Sequence, residues 1–309
     1  MREDDSFEED ISSEEHRPVM LKETLDTLEI LPGSWYVDAN LGGGGHTRAI
    51  LERGGKVLAI DRDPEAVLSF TRKFGETFQG RLIVVRGNNS EISRWVQESG
   101  IHPRGILFDL GWSTIQGKDS SRGLSFMEEG PLDMRLDSET EESAQDLLES
   151  LSEESLEKLL AEGDEPLSWP IARALVQARK EGRLPGTTLD LAAFVSGVYY
   201  RKGFRRSRRH PATRTFMALR IRVNREYENL SRSLSGSREI LEVSGGRLVI
   251  LTFHSGEDRI VKRAFREWVR EGAASFLFKK SIQPGEIECH ENPRARSARM
   301  RGVSFVGHP

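Results

Sequence analysis

Cysteine is almost missing from this sequence, since Cys289 is the only one among 309 residues. A single cysteine cannot form an intramolecular disulfide or a zinc site built from several cysteines. The neighbouring His290 has no second pair of ligands nearby at the spacing of a zinc site. We therefore expect no bound metal.

Long apolar runs are missing as well, because none approaches the roughly 20 residues that a membrane-spanning helix requires. The N-terminal segment is acidic, whereas a secretory signal begins with basic residues. Together these features predict a soluble, cytoplasmic protein with no membrane partner.

The net charge of −4 is small, but the charges are unevenly distributed. Acidic residues are concentrated in 3–15 and 137–165, and basic residues in 201–225 and from Arg259 to the C-terminus. The average therefore conceals two basic surfaces. Residues 1–15 are polar and aperiodic, which predicts a disordered acidic tail.

The segment 35–63 carries the strongest local pattern. A β-rich run ends at Asp38, and four glycines follow at 42–45. A helical segment then begins at His46, and a second apolar run ends at Asp61. Glycines let a ligand approach the main chain, the first N–H groups of the helix are unpaired, and the acid can accept hydrogen bonds from ribose hydroxyls. This order predicts a cofactor that contains adenosine.

The fingerprint of dinucleotide-binding proteins is incomplete here, because Thr47 stands where G-x-G-x-x-G has its last glycine. A glycine turn between a strand and a helix also occurs without any ligand. Asp61 lies at about the expected interval and favours a bound cofactor. At this point a dinucleotide and S-adenosylmethionine (SAM) both remain open.

Strands that alternate with helices predict an α/β fold with a parallel sheet. Further strands are predicted at 81–87, 105–111 and 245–253, and short final strands at 276–280 and 303–306. In open α/β sheets ligands bind beyond the carboxyl ends of the strands. We therefore expect the polar residues that end the strands to converge on one site.

The pattern becomes helical after the fourth strand. Helices are predicted at 144–160, 171–180 and 189–200, with no strand between them. We interpret 119–212 as a helical insertion. The sheet then resumes after a helix predicted at 213–230.

Two polar loops are candidates for chemistry. Asp109 ends the fourth strand and precedes Trp112, so its carboxylate could accept hydrogen bonds from the exocyclic amine of a base on which the ring stacks. A turn that merely ends a strand is the alternative. His254 lies in the loop 253–258, which lacks the G-x-S-x-G of a nucleophile elbow, and either lines a substrate site or only forms a turn.

Ten Lys or Arg residues occur between Arg201 and Arg225, interleaved with Phe204 and Phe216. Such a composition suits the neutralisation of phosphates with occasional stacking, although many basic runs are only solvated surfaces. With the basic segment 292–301, it favours a nucleic-acid partner. The residues expected to contact RNA are Arg205, Arg206, Arg208, Arg209, Arg214, Arg296 and Arg299.

Taken together, these motifs resemble those of the bacterial small-subunit ribosomal RNA (cytosine-N4) methyltransferase family. The resemblance runs from about His16 to Val303 and includes, in order, HRPVMLKE, YVDANLGGGGHTRAIL, AIDRDPEA, GILFDLG, RGLSFMEEGPLDMRLD, HPATRTFMALRIRVN, GGRLVILTFHSGEDRIVKR and NPRARSARMR. It implies a Rossmann-like class I methyltransferase domain at 16–118 and 213–309. The insertion at 119–212 would then recognise the substrate.

The resemblance also implies a reaction, the transfer of a methyl group from SAM to the N4 amine of a cytidine in the decoding region of small-subunit ribosomal RNA. The partner would be this RNA or the assembled small ribosomal subunit, and a homodimer is compatible with it. The residues that would contact the cofactor are Gly44, Gly45, His46, Asp61, Asn89, Asp109 and Gln116. We expect Asp109 to orient the amine and receive its proton, with His254 as the second catalytic candidate.

Four positions depart from the family pattern: Asn40, Asn89, Trp112 and Gly256 stand where Thr, Phe, Val and Leu are usual. These departures keep open a catalytically silent RNA-binding or assembly factor with the same fold. A nicotinamide-dependent oxidoreductase that uses the glycine loop is the other alternative, although it gives the basic segments no role.

Overall fold

The computed structural model describes residues 17–111, 122–136, 140–204 and 210–307. The predicted tail at 1–15 lies outside these ranges, as do Trp112, Gln116 and the arginines at 205, 206, 208 and 209.

Seven strands form a single sheet in the order β3-β2-β1-β4-β5-β7-β6. Their bounds are β1 Trp35–Asp38, β2 Lys56–Asp61, β3 Leu82–Arg86, β4 Pro103–Asp109, β5 Gly246–Thr252, β6 Ala274–Phe276 and β7 Arg299–Phe305. The first five strands are parallel, whereas β7 runs antiparallel between β5 and β6. This topology confirms the predicted Rossmann-like class I methyltransferase fold.

Helices account for most of the remaining described chain. In chain order they are α1 Leu21–Leu28, α2 Gly45–Glu52, α3 Pro64–Phe74, α4 Ile92–Ser99, α5 Ala144–Ser150, α6 Glu153–Glu162, α7 Ser168–Lys180, α8 Thr188–Arg201, α9 Thr213–Val223, α10 Glu226–Ser244, α11 Ser255–Arg270 and α12 Glu286–Glu291. None of the helices described is long and apolar enough to cross a membrane.

The central strands are buried on both faces, as a parallel sheet between two helical layers requires. Alternate residues of each strand therefore enter different cores. Leu58 and Ile106 pack with α4, α10 and α11 on one face. Val57 and Leu107 pack with α1 and α2 on the other.

A third hydrophobic core lies among α5 to α9 and contains residues from Leu124 to Val223. Phe216 and Leu219 of α9 belong to this core. Helices α5 to α9 thus have an apolar interior of their own. The boundary of the insertion at 212 stays a prediction.

Several predicted elements differ in their limits. The helix expected at 144–160 is two helices, because Ser152 begins α6 by accepting the N–H of Ser155. The helix expected at 213–230 is also two, since Arg225 lies in the left-handed region at φ 50° and separates α9 from α10. The last two strands, β6 and β7, begin earlier than predicted, at Ala274 and Arg299.

Candidate active site

A cleft of about 1000 Å³, open to solvent, lies beyond the carboxyl ends of β1, β2 and β4. We call it the main cleft. Its sheet side includes Asn40, Gly42, Asp61, Asn88, Asn89 and Gly111. Its far wall comes from the region of α9 to α11 and includes Arg220, Asn224, Glu226, Asn229, Leu230 and Glu257.

The glycine loop requires glycine at two positions for different reasons. At Gly44 the backbone φ is +74°, and an added Cβ would lie 2.0 Å from the ring of Phe70. At Gly45 an added Cβ would lie 2.9 Å from Pro18. The side of the loop that faces Phe70 and Pro18 is thus closely packed. Gly42, at φ +50°, is the glycine of this loop that lines the main cleft.

Asp61 holds the loop and still faces the cleft. Its Oδ2 accepts the N–H of Gly42 at 2.7 Å, and its Oδ1 accepts the N–H of Asp63 at 2.9 Å. Burial raises the pKa of Asp61, and these backbone N–H groups oppose that rise. Each carboxylate oxygen can accept a second hydrogen bond, so ribose hydroxyls could still bind here.

A buried charged network lies beneath the loop. His46 Nε2 is 3.1 Å from the carbonyl oxygen of Val19, and its Nδ1 is 3.4 Å from Asp109 Oδ2. A carbonyl only accepts, so Nε2 carries a proton, and the carboxylate favours a second proton on Nδ1. Burial lowers the pKa of His46, but the hydrogen bond to Asp109 and the charges of Asp109 and Asp38 outweigh it and leave this pKa raised. His46 therefore supports Asp109 from behind and is not among the residues that line the cleft.

Asp38 is the buried acid of the same network. It accepts hydrogen bonds from Thr47 Oγ1 at 2.6 Å and from the N–H of Asn40 at 3.2 Å. Burial raises the pKa of Asp38 to about 6, although the charge of His46 and the bond from Thr47 lower it.

Asp109 ends β4 at the edge of the cleft, with its side chain 17 % exposed. Its Oδ1 accepts the N–H of Gly111 at 3.2 Å, while its Oδ2 faces His46. The carboxylate is thus oriented from two sides. Leu110 and Gly111, which follow it, line the cleft.

Two departures from the family pattern also lie in the cleft. Asn89 Oδ1 accepts a hydrogen bond from Ser233 Oγ of α10 at 3.0 Å, so a polar contact stands where an aromatic ring is usual. Asn40 Oδ1 is buried and has no hydrogen-bond partner in the described part of the chain.

The sequence did not predict the far wall, because one continuous helix was expected at 213–230 where the structure has α9 and α10. Asn224 is 2 % exposed. Its Oδ1 accepts the N–H of Leu136 at 2.9 Å, and its Nδ2 donates to the carbonyl of Met134 at 2.8 Å. Arg220 forms a bidentate pair with Glu226, at 2.7 and 2.9 Å. The only sequence signal was that Arg220 and Asn224 belong to the motif HPATRTFMALRIRVN.

His254 begins α11 and is not among the residues that line the cleft. Its Nδ1 accepts the N–H of Glu257 at 3.5 Å, while Glu257 Oε2 accepts the N–H groups of Phe253 at 2.8 Å and His254 at 3.3 Å. The two side chains therefore cap the helix reciprocally. His254 Nε2 lies 3.1 Å from Glu257 Oε1, but it makes no hydrogen bond of good geometry with a described residue.

Glu226, His254 and Glu257 could together hold a metal ion, since one ligating atom of each lies within 4.8 Å of the others. No other group of this kind occurs among the residues described. Arg220 already neutralises Glu226, and the helix cap already engages the other two. These contacts give the group a structural role without a metal.

Gly256 departs from the usual Leu because of Tyr227. A Cβ added at Gly256 would lie 1.8 Å from the hydroxyl of Tyr227. The Tyr227 ring packs 5.9 Å from that of His254, and burial raises the pKa of its hydroxyl. Tyr227 thus fills the volume that a larger side chain at 256 would occupy.

The arginines predicted to contact RNA that fall within the described ranges are all exposed. They are Arg214 on α9, Arg296 in the turn after α12, and Arg299 at the start of β7. Arg299 pairs with Thr252, at the carboxyl end of β5, and so lies on the edge of the sheet that carries the cleft.

Comparisons with known proteins agree on one family. A profile of the MraW methylase family matches residues 13–306. The chain is 43% identical to ribosomal RNA small subunit methyltransferase H of Thermomicrobium roseum, over 97% of this chain and 96% of the relative. It is 42% identical to the protein of that name from Thermotoga neapolitana, over 94% of this chain and 96% of the relative.

Two solved structures are more distant. SMU.1697c of Streptococcus mutans, solved in complex with SAH, is 14% identical, with a TM-score of 0.41 over 94% of this chain and 99% of that one. An rRNA methylase of Streptococcus thermophilus is 12% identical, with a TM-score of 0.41 over 92% of this chain and 95% of that one.

Proposed function

Because the chain belongs to the MraW methylase family, we propose that it methylates the N4 amine of a cytidine in the decoding region of small-subunit ribosomal RNA. Membership of this family makes the chain a SAM-dependent rRNA methyltransferase. Family membership therefore argues against both alternatives, the nicotinamide-dependent oxidoreductase and the catalytically silent RNA-binding or assembly factor. The observation that carries the proposal is the convergence of Asp61, Gly42 of the glycine loop, and Leu110 and Gly111, which directly follow Asp109, at one open cleft.

The residues present fit the cofactor. Asp61 faces the cleft from the end of β2, where its carboxylate can accept hydrogen bonds from ribose hydroxyls. The loop allows close approach because Gly42 lacks a side chain. When bound, SAM supplies a methyl group on a positively charged sulfur, which is already an activated leaving group. Gly44, Gly45, His46 and Asn89 would support this site, with Gln116 as a further contact.

Asp109 would position the reacting amine. An amine conjugated with the cytosine ring is a poor nucleophile, so its orientation matters most. The carboxylate is fixed by Gly111 and His46 and lies next to the cleft wall at Leu110. It would accept one N–H of the amine and then the proton that N4 loses. His254, the second catalytic candidate, does not line the cleft, and its buried Nε2 lies 3.1 Å from Glu257 Oε1, so the geometry favours Asp109 for this role.

The target cytidine would leave its stack to enter the cleft between the Asp109 loop and the far wall. The exposed arginines on α9 and near β7 would neutralise the phosphates around it. The substrate would be small-subunit RNA, free or in the assembled subunit, in the cytoplasm. A homodimer is compatible with this arrangement.

Asp109→Asn tests the proposed role, because it keeps the size of the side chain and removes its charge. We expect kcat to fall at least about 100-fold, the usual contribution of an acid or base, while the affinity for SAM falls only partly, because Asp109 is one of several expected cofactor contacts. Asp26→Asn, an exposed acid on α1, is the matched control and should leave both unchanged. Undiminished turnover in Asp109→Asn, with unfolding like that of the wild type, would remove Asp109 from the mechanism.

A further inference from the structure

A second groove of about 1080 Å³ opens beside the main cleft. The two share Arg62, Asn88, Asn224 and Asn229 in their walls, so they are continuous. Four arginines line the second groove, which we call the arginine groove: Arg62, Arg222, Arg225 and Arg232.

Arg225 is presented to this groove by a rigid turn. It lies between α9 and α10 in the left-handed region at φ 50°, a conformation that non-glycine residues rarely adopt. The preceding Asn224 anchors the turn to the loop at Met134 and Leu136, and its own carbonyl accepts Asn229 Nδ2 at 2.9 Å. The strained residue is therefore held in place by buried hydrogen bonds, as is common at functional sites.

The positive charge of the groove is only partly neutralised. Arg222 lies 3.8 Å from Glu142, and Arg232 lies 3.3 Å from Glu228. None of the ion pairs between described residues involves Arg62 or Arg225.

Acidic side chains also line the groove, but two of the three are paired. Glu142 faces Arg222, and Glu91 lies 3.5 Å from Arg94, outside the groove. Glu141 is exposed and adds a negative charge at the rim. Among the described residues that line the groove, two arginines, Arg62 and Arg225, and one acid, Glu141, have no ion pair. The groove therefore has an excess of positive charge.

We propose that the arginine groove binds the phosphates of the RNA strand next to the target cytidine. This inference rests on the proposed function: the target cytidine would lie against the far wall of the main cleft, and Asn224 and Asn229 of that wall also line the arginine groove, so the neighbouring nucleotides would follow it there. Arginines neutralise phosphates, and the amides of Asn88 and Asn229 can hydrogen-bond to phosphate or sugar. The groove would hold the strand, while the main cleft selects the base.

The test compares Arg62→Gln, Arg225→Gln and the double variant with the wild type. Arg72→Gln is the matched control, because Arg72 is exposed on α3 and does not line either groove. The probe is a fluorescent oligoribonucleotide that carries the target cytidine and its flanking nucleotides, and its Kd is measured by anisotropy at several salt concentrations. Methylation of small subunits is measured in parallel at saturating SAM.

Each groove variant should raise the Kd for the RNA about 5-fold at about 0.1 M salt. For a single strand, Kd varies with the salt concentration raised to a power of about 0.7 for each phosphate neutralised, so one contact strengthens binding about 5-fold at about 0.1 M relative to about 1 M salt. The slope of log Kd against log salt should fall by about 0.7 per arginine removed. The KM for RNA should rise in Arg225→Gln, while its kcat and its Kd for SAM stay near those of the wild type.

Wild-type affinity and salt slope in the double variant would overturn the inference while leaving the proposed function intact. A raised KM for small subunits without weaker binding to the oligoribonucleotide would also overturn it, and would assign the groove to a ribosomal protein. If the wild type neither binds the RNA nor transfers methyl to subunits, the proposed function fails and the groove assignment fails with it.

Discussion

Gly44 lies where the glycine loop passes over Phe70, and it combines two constraints in one residue. Its φ is +74°, and an added Cβ would lie 2.0 Å from the ring. Gly80 has the same φ of +74° but has nothing within 4 Å of an added Cβ. The two positions therefore separate the cost of the backbone conformation from the cost of the clash.

Gly80→Ala should lower the free energy of unfolding by about 1 kcal/mol, the cost of a left-handed alanine. Gly44→Ala should lower it by about 2 kcal/mol more, because the Phe70 ring must move, and should also weaken SAM binding. Chemical denaturation and calorimetry measure the two effects. Equal losses of stability in both variants would show that Phe70 does not constrain the loop.

Asp38 should make stability depend on pH. Its folded pKa of about 6 lies above the ordinary value of 3.8, so its contribution to stability is present at low pH and is lost as pH rises toward and through 6. Between pH 4.5 and pH 7.5, the wild type should lose about 2 kcal/mol of unfolding free energy relative to Asp38→Asn. Denaturation of both proteins across this range checks the sign. A constant difference between them would mean that Asp38 titrates normally.

At the scale of elements, helix α11 begins at a residue that could serve either as a cap or as a catalyst. His254 accepts the N–H of Glu257, a role that asparagine performs well. His254→Asn should therefore keep the stability of the wild type and most of its activity, whereas His254→Ala should lose about 1 kcal/mol of stability. Thermal unfolding and methylation kinetics measure both. A fall in kcat of about 100-fold or more in a stable His254→Asn would instead identify a proton-transfer role.

The elements differ in how well the sequence predicts them. The break between α5 and α6 had a local signal, because Ser152 is a residue that commonly begins helices. The break between α9 and α10 had none. Arg225 is not a residue type expected in the left-handed region, and the turn is fixed by hydrogen bonds from Asn224 to a loop that is distant in sequence. Contacts of that kind are tertiary and leave no local pattern.

At the scale of the whole molecule, the sheet side of the cleft was predictable and the far wall was not. Asp38, Asp61 and Asp109 end three parallel strands, and the carboxyl ends of such strands necessarily share one edge. Glu226 and Glu257 reach the same cleft only because α10 and α11 pack against the sheet. The positions of His46 behind Asp109 and of Tyr227 against Gly256 likewise depend on packing between segments far apart in the chain.

The activity proposed for the whole molecule is methylation of N4 of a cytidine in small-subunit ribosomal RNA. The most direct test incubates the purified protein with labelled SAM and small subunits from a strain that lacks the gene. The RNA is then digested, and the labelled nucleoside is identified and mapped by mass spectrometry. We expect N4-methylcytidine at one position of the decoding region, and much less of it with Asp109→Asn. Label on a carbon atom of the base, on another nucleoside, or on no nucleoside would rule out the proposed activity.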